Sequence, residues 1–450
     1  MYKDIAKRIT AVGMTVIMTI SGFGFSGFVN ANTTGTNNEE TRQFPTMRIE
    51  TEGIPFRVRE LWLYSTFTLE GAGRRYDLHE MTGRVRGRGR SSWSRHPEKR
   101  SLAIRFDDRV RMPGASDRHR RWVLVANHQD KTLMRDYAAY HIGAQLSGMY
   151  WSPYASFVHL YVNGEYMGVY LLADERNVGP GRAQLTADTN PAVSEYLLQM
   201  DWRLYRRGNV EDVDFFRINT SPNGIIGISA AGSGHSRDFL YEVRYPSGDD
   251  FTPEHMEYAR AFIEAVSHAI RSRDFERISA LVDIEAMADY YIVQELFKNV
   301  DSGFSSVFLQ IKGQGDERRL VMGPLWDFDV AAGNTYWQRN QTPYGLYVGG
   351  QHYWFRNLMA TPEFREVVTE RWNREAFAAI MRTVAHIHYM AETYQGCFER
   401  NFERHDIMGV FVWPNPPQVV EIDTFLGQVD YLADFLVRRA FYMNDVFNDN

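Results

Sequence analysis

The chain reads as an α+β protein in two lobes, a β-rich first part with one main helix and a mostly helical second part. Strand-like alternation runs from Met47 to Phe106 and returns at Phe157–Leu172. Apolar residues at helical spacing dominate from residue 253 onward. A polar connection, Gly179-Pro180-Gly181, follows the paired acids Asp174-Glu175 and divides the two patterns. Strands first and helices afterwards, with no internal repeat, is the outline of segregated layers rather than of alternating βαβ units.

The elements follow in order. Ile54–Val58, Leu61–Leu69, Gly83–Val85 and Leu102–Phe106 alternate as strands, with turns expected at Gly71-Ala72-Gly73 and Asp107-Asp108. Trp122–Ala126 is another short strand. From Asp130 to Leu146, the apolar residues Leu133, Tyr137, Ala139, Ile142 and Leu146 predict a helix with Asp130 near its N-terminus. Phe157–Val162 and Glu165–Leu172 flank Asn163-Gly164, the two-residue hairpin signal. Residues 195–250 mix strand and loop. Helices are expected over 253–272, 283–299, 361–382, 384–402 and 427–446, and a short hairpin over Val307–Ile311 and Leu320–Met322.

Lys3, Lys7 and Arg8 precede an apolar run from Ile9 to Phe28 that ends in Val29-Asn30-Ala31, the pattern of a cleaved export leader. The alternative is an uncleaved membrane anchor, which Gly22, Gly24 and Gly27 weaken. The expected organisation is therefore a signal peptide over 1–31, a flexible linker over 32–46, an N-terminal lobe over 47–178 and a C-terminal lobe over 179–450. The working part is expected outside the cytoplasm, secreted or at the cell surface, and touches membrane only if the leader stays attached. The single Cys397 can form no internal disulfide, so stability must come from the core. A formal net charge of −6 argues against nucleic acid as the main partner.

The chemistry concentrates between Lys298 and Asn334. Asp301 closes a helical pattern, the hairpin follows, and Trp326-Asp327-Phe328-Asp329 ends it. A protein kinase core places its base and its metal-binding acid at the two ends of such a hairpin. Ser306 stands five positions after Asp301, the offset of the second metal-binding residue. Hard divalent cations prefer carboxylate oxygens, so Asp327, Asp329 and Ser306 are candidate ligands; the bland alternative for each acid is a turn or cap.

Arg86-Gly87-Arg88-Gly89-Arg90 places two glycines beside a strand. Glycines admit close approach of backbone N–H groups to phosphate, and Arg88 adds a forked donor; a solvated Gly-rich hairpin would look the same. Lys99 and Arg105 in KRSLAIRF are the candidate phosphate cations of the next strand, against the alternative of exposed edge-strand charges. His386 and His388 lie two apart on a helix and would not face one way, no zinc spacing of Cys and His occurs, and no G-x-S-x-G elbow is present.

Taken together, RGRGRSSW, KRSLAIRF, NHQDKTLMRDYAAY, YVNGEYMGVYLLADE, ELFKNVDSGFSSVFL and GPLWDFDVAAGN resemble the CotH kinase family over roughly residues 48–445. The resemblance implies an atypical protein-kinase-like fold and transfer of phosphate from ATP, with Mg²⁺ or Mn²⁺, to Ser/Thr of secreted or surface proteins. It implies Asp301 as the catalytic acid, Asp327 as the metal-binding acid and Asp329 as a further ligand. Arg90 stands where the family usually has Asn, Arg105 where Lys is frequent, Asp174 where Glu usually ends the hinge-like strand, and Ser306 where some members have Asn. Gly87, Arg88, Gly89, Lys99, Arg105 and Asp174 are the expected nucleotide-side residues. Two other functions fit the same residues: a non-catalytic surface or matrix protein that binds through a kinase-like fold, and a metal-dependent hydrolase.

Overall fold

Period-two burial closes the first seven strands into a barrel. In Leu63–Glu70 the side chains of Leu63, Ser65, Phe67 and Leu69 turn inward while Tyr64, Thr66 and Glu70 face out. The computed structural model describes residues 42–201, 215–218, 239–303 and 305–449. The expected leader and all but the end of the linker lie outside the described residues. The strands are β1 (Thr46–Glu50), β2 (Leu63–Glu70), β3 (Leu78–Gly87), β4 (Leu102–Val110), β5 (His119–Val125), β6 (Ala155–Val162) and β7 (Glu165–Asp174). They close in the order β1-β2-β3-β4-β5-β7-β6, and β6 returns to β1 as its parallel neighbour. Met47, Phe67, Val85, Ile104, Trp122, Leu124, Leu160 and Tyr170 fill the interior.

Helix α1 (Ser91–Arg95) follows β3, and α2 (Arg135–Gly143) follows β5. A second, antiparallel sheet has the order β12-β11-β8-β10-β9, with β8 (Tyr196–Met200), β9 (Phe215–Ile218), β10 (Phe239–Tyr245), β11 (Val307–Lys312) and β12 (Arg319–Met322). The principal helices of this part are α3 (Pro253–Ser272) and α4 (Ile284–Phe297), between β10 and β11, and α5 (Pro362–Arg371), α6 (Phe377–Thr393), α7 (Gln395–Arg404) and α8 (Phe425–Asn448) after β12. Helix α4 is buried on all sides from Ala286 to Phe297, its Asp289 and Glu295 included, as befits the central helix of a core. One hydrophobic cluster joins Val123, Val125, Phe157 and Leu171 on the barrel's outer face to α2, the second sheet and the helices. Among the described residues no helix is long and apolar enough to cross a membrane.

The α+β architecture and the Asn163-Gly164 hairpin agree with the sequence reading. Four local expectations change. Ile54–Val58 is irregular and outward, with Ile54 47% and Val58 54% exposed, because Pro55 withholds an N–H and Glu52 and Gly53 turn the chain at positive φ. Asp107 and Asp108 continue β4 instead of ending it. Asp130 precedes the helix by a full turn: its carboxylate accepts the N–H groups of Thr132 (3.0 Å) and Arg135 (2.9 Å), and α2 starts only at Arg135. No break falls at Thr383, whose hydroxyl donates to Ala379 O at 2.9 Å within α6; the break comes at Tyr394.

Candidate active site

The β11–β12 hairpin leads directly into the acid pair, and burial of the residue between them fixes both. Phe328 is fully buried against Phe297 of α4 at 5.1 Å, so Asp327 and Asp329 are presented on either side of an anchored ring. Asp327 holds φ 70°, a left-handed conformation that Asp tolerates better than most side chains. The Ser306 hydroxyl donates to Asp327 Oδ2 at 2.6 Å. Asn299 Nδ2 donates to Asp327 O at 3.3 Å, and Asn299 Oδ1 accepts the N–H of Asp301 at 3.0 Å. Asn299 thus ties the Asp301 turn to the acid pair.

The same place receives a carboxylate that the sequence reading passed over. Asp136 of α2 accepts the Phe328 N–H at 2.7 Å. It is buried, and burial followed by the nearby Asp327 and Asp130 carboxylates raises its pKa to about 7, against the opposing pull of the Phe328 hydrogen bond and Arg88. Burial and the carboxylates of Asp327, Asp136, Asp130 and Asp301 push Asp329 well above the usual range. Gln129 donates to Asp329 Oδ2, while Asn334 donates to Asp329 O at 2.8 Å and to Gln129 O at 3.0 Å. Behind them Arg135 pairs with Asp130 and donates to Ala331 O at 3.0 Å, which fastens the segment after Asp329 to α2.

Beside the acids lies a group of cations. The guanidinium groups of Arg88 and Arg176 lie over the Trp326 ring, 5.0 and 4.1 Å from its centre. Glu175 pairs with Arg176 at 3.3 Å. Burial alone would raise the Glu175 pKa, but Arg176, Arg88 and Arg244 override it and hold the carboxyl at about 2. Burial and Arg88 bring Arg176 down to about 10. Arg86 is depressed by burial and shares the field of Arg88 and Glu175. Several guanidinium groups around one carboxylate leave an excess of positive charge beside an excess of negative charge, with Trp326 between them.

Of the sequence-predicted residues, Asp301, Ser306, Asp327, Asp329 and Arg88 come together here. Gly87 and Gly89 frame Arg88: a Cβ on Gly87 would stand 2.0 Å from the Trp93 ring, and Gly89 takes φ 78°. Three others stand apart. Lys99 is fully buried, donates to Val169 O at 2.8 Å, and has its pKa brought down to about 7 by burial. Arg105 is exposed on the barrel's outer face, between Arg84 and Arg121 of the neighbouring strands. Asp174 is engaged by Arg182 Nε at 2.8 Å and by the Tyr154 N–H at 2.9 Å, while its neighbour Glu175 lies among the arginines. Sequence reasoning missed Asp136, Asn299, Arg176 and Glu175; the DE pair at the end of β7 and the RD pair in NHQDKTLMRDYAAY were the signals available.

Residues 84–443 match the family described as CotH kinase protein. The chain belongs to this family. No curated protein matches it. The matched span takes in every group just described, from Arg86 in β3 to Asn334, and supports a kinase-like function in general terms. Such a family implies ATP and a divalent cation in general terms, and the site has donors suited to each. Asp136, Asp327 and Asp329 offer hard oxygen donors whose mutual repulsion a cation would relieve. Arg88 and Arg176 offer forked donors suited to phosphate.

Proposed function

We propose that this chain is an extracytoplasmic phosphotransferase that moves the γ-phosphoryl group of ATP to Ser/Thr hydroxyls of secreted or surface proteins. The observation that carries the reading is the convergence of Asp136, Asp327 and Asp329 next to Trp326, over whose ring Arg88 and Arg176 lie. Asp327, Asp329, Ser306 and Asp136 would hold Mg²⁺ or Mn²⁺; Gly87, Arg88, Gly89 and Arg176 would receive the phosphates. Bound there, the metal nucleotide supplies the phosphoryl group and compensates the charge of its transfer. Asp301 orients the acceptor hydroxyl or takes its proton, while Asn299 sets the Asp301 turn against Asp327. In this reading the barrel is the nucleotide-side lobe and the helical part the acid-bearing lobe, and Arg176 replaces Lys99 and Arg105 as a phosphate contact.

A second reading, a non-catalytic binding protein, draws on Lys99, whose buried amine is already bonded to the Val169 carbonyl. Incubation of the exported chain with γ-labelled ATP and Mn²⁺ or Mg²⁺ separates the possibilities. Metal-dependent labelling of the chain or of an added protein supports transfer. Free phosphate with no labelled protein supports a hydrolase. Nucleotide binding without turnover, or no binding at all, supports the second reading.

A further inference from the structure

On another side of the Gly87–Gly89 segment, two imidazoles and a carboxylate converge without a role in the site above. His96 ends α1, Glu98 follows two residues later, and His128 lies in the loop between β5 and α2. His96 and His128 are buried, whereas Glu98 reaches the surface with its side chain 48% exposed. One ligand atom from each lies within 4.8 Å of the other two. His128 Nε2 is 2.7 Å from Glu98 Oε1, and His96 Nδ1 is 3.9 Å from the same oxygen.

Ligand atoms of a tetrahedral zinc site, each about 2.0–2.2 Å from the ion, stand roughly 3.3 Å from one another. The two observed separations bracket that value. We propose that His96, Glu98 and His128 form a cation site of their own, selective for zinc-type ions over magnesium and manganese, with water completing the coordination on the Glu98 side. Imidazole nitrogen is a good ligand for zinc and a poor one for the hard cations suited to the aspartates. Both imidazole rings are buried, so each is held in place for a ligand role. Among the described residues His128 Nδ1 is buried without a hydrogen-bond partner, and His405 packs edge-on to that ring at 5.6 Å.

The consequence is mechanical. An ion here would fasten α1, which follows the Gly87–Gly89 turn, to the loop whose next residue, Gln129, holds Asp329. It would brace the cationic and acidic sides of the cleft against each other without touching either.

The test uses the full exported chain, prepared without a histidine tag, stripped with chelator and titrated with Zn²⁺ against a chromophoric chelator. One equivalent is expected to bind with a Kd of about 1 μM or tighter, and Co²⁺ is expected to give the intense visible bands of four-coordinate geometry. Glu98→Gln, at an exposed position that does not threaten folding, should weaken zinc at least about tenfold; His96→Asn should abolish the cobalt bands. Asp327→Asn should leave zinc binding unchanged, which keeps the outcome independent of the phosphotransfer reading. Failure to bind a stoichiometric ion, or equal zinc affinity in Glu98→Gln, His96→Asn and the parent, overturns the proposal.

Discussion

Asp327 shows how one backbone angle decides which substitution is informative. Its φ of 70° is tolerated by Asp and Asn, whereas alanine there would add about 1 kcal/mol of strain and confuse loss of charge with loss of fold. Asp327→Asn keeps an oxygen for the Ser306 hydroxyl and removes only the charge. It is expected to lower Mn²⁺-ATP affinity by about 100-fold while the thermal transition without metal stays within a few degrees of the parent. Asp301→Asn should behave differently: its assigned partner is the acceptor hydroxyl, so nucleotide binding should persist while transfer falls by about 100-fold or more. Calorimetric titration with Mn²⁺-ATP alongside a labelled-transfer assay reads both, and parent-like behaviour of both variants would make these acids structural. Asp301, Ser306, Asp327 and Asp329 were legible because one hairpin carries them all. Asp136 was not, since it meets Phe328 across 192 residues of chain and sits in a segment whose apolar spacing accounts for the helix without it. Lys99 and Arg105 were picked by residue type, but type does not say which way a side chain turns out of a barrel strand.

The turn from β3 into α1 brings Arg88 over Trp326, and its two glycines are needed for different reasons. Gly87 is filled from outside: any Cβ would enter the Trp93 ring. Gly89 is a conformational requirement, with φ 78° and Ser92 Oγ 2.2 Å from the position of a Cβ. Gly87→Ala is therefore expected to destabilise the protein by about 1–3 kcal/mol through overpacking and, by displacing Arg88, to weaken nucleotide binding. Arg88→Ala should weaken binding at least about tenfold with little change in stability, and denaturant titration with nucleotide titration on the two variants distinguishes the causes. The elements legible in the sequence were those whose pattern is local, such as the β6–β7 hairpin and the inward alternation of β2. Those misread depend on competing hydrogen bonds. Asp130 forms a side-chain turn ahead of the helix where a place near the helix N-terminus was expected, and the Thr383 hydroxyl folds back into α6 where a break was expected. The barrel's closure, with β6 parallel to β1, has no local signature, because it joins segments more than a hundred residues apart.

Buried charge is distributed unequally through the fold, and pH exposes the difference. Arg135–Asp130, Arg371–Asp289 and Arg439–Glu295 are fully buried pairs in which each charge has its partner. Asp136 and Asp329 instead face other carboxylates, and their folded pKa values are raised. A carboxyl with a raised folded pKa contributes stability that is complete below its unfolded pKa and is lost as pH rises through the folded value. For Asp136 the loss runs from about pH 4 to about pH 7. Buried neutral histidines act in the opposite sense: burial lowers His141 and His352 to about 3, so they cost stability as pH falls below the ordinary histidine range. The parent's own profile mixes the two effects, and the difference between parent and Asp136→Asn isolates the first, since Asn retains an oxygen for the Phe328 N–H. In chelator at pH 5, where the loss from Asp136 has begun, the variant should already be the more stable by about 1–2 kcal/mol. At pH 8 that lead should have widened by a further ~2–3 kcal/mol, because the parent must then carry an ionised Asp136 among its acidic neighbours. Adding Mn²⁺-ATP at pH 8 should reverse the order, as the parent gains a ligand that the variant holds less well. Scanning calorimetry at the two pH values, with and without Mn²⁺-ATP, checks each step. An equal gap between the proteins at pH 5 and pH 8 would mean that Asp136 does not titrate in this range and that the acids do not crowd one another.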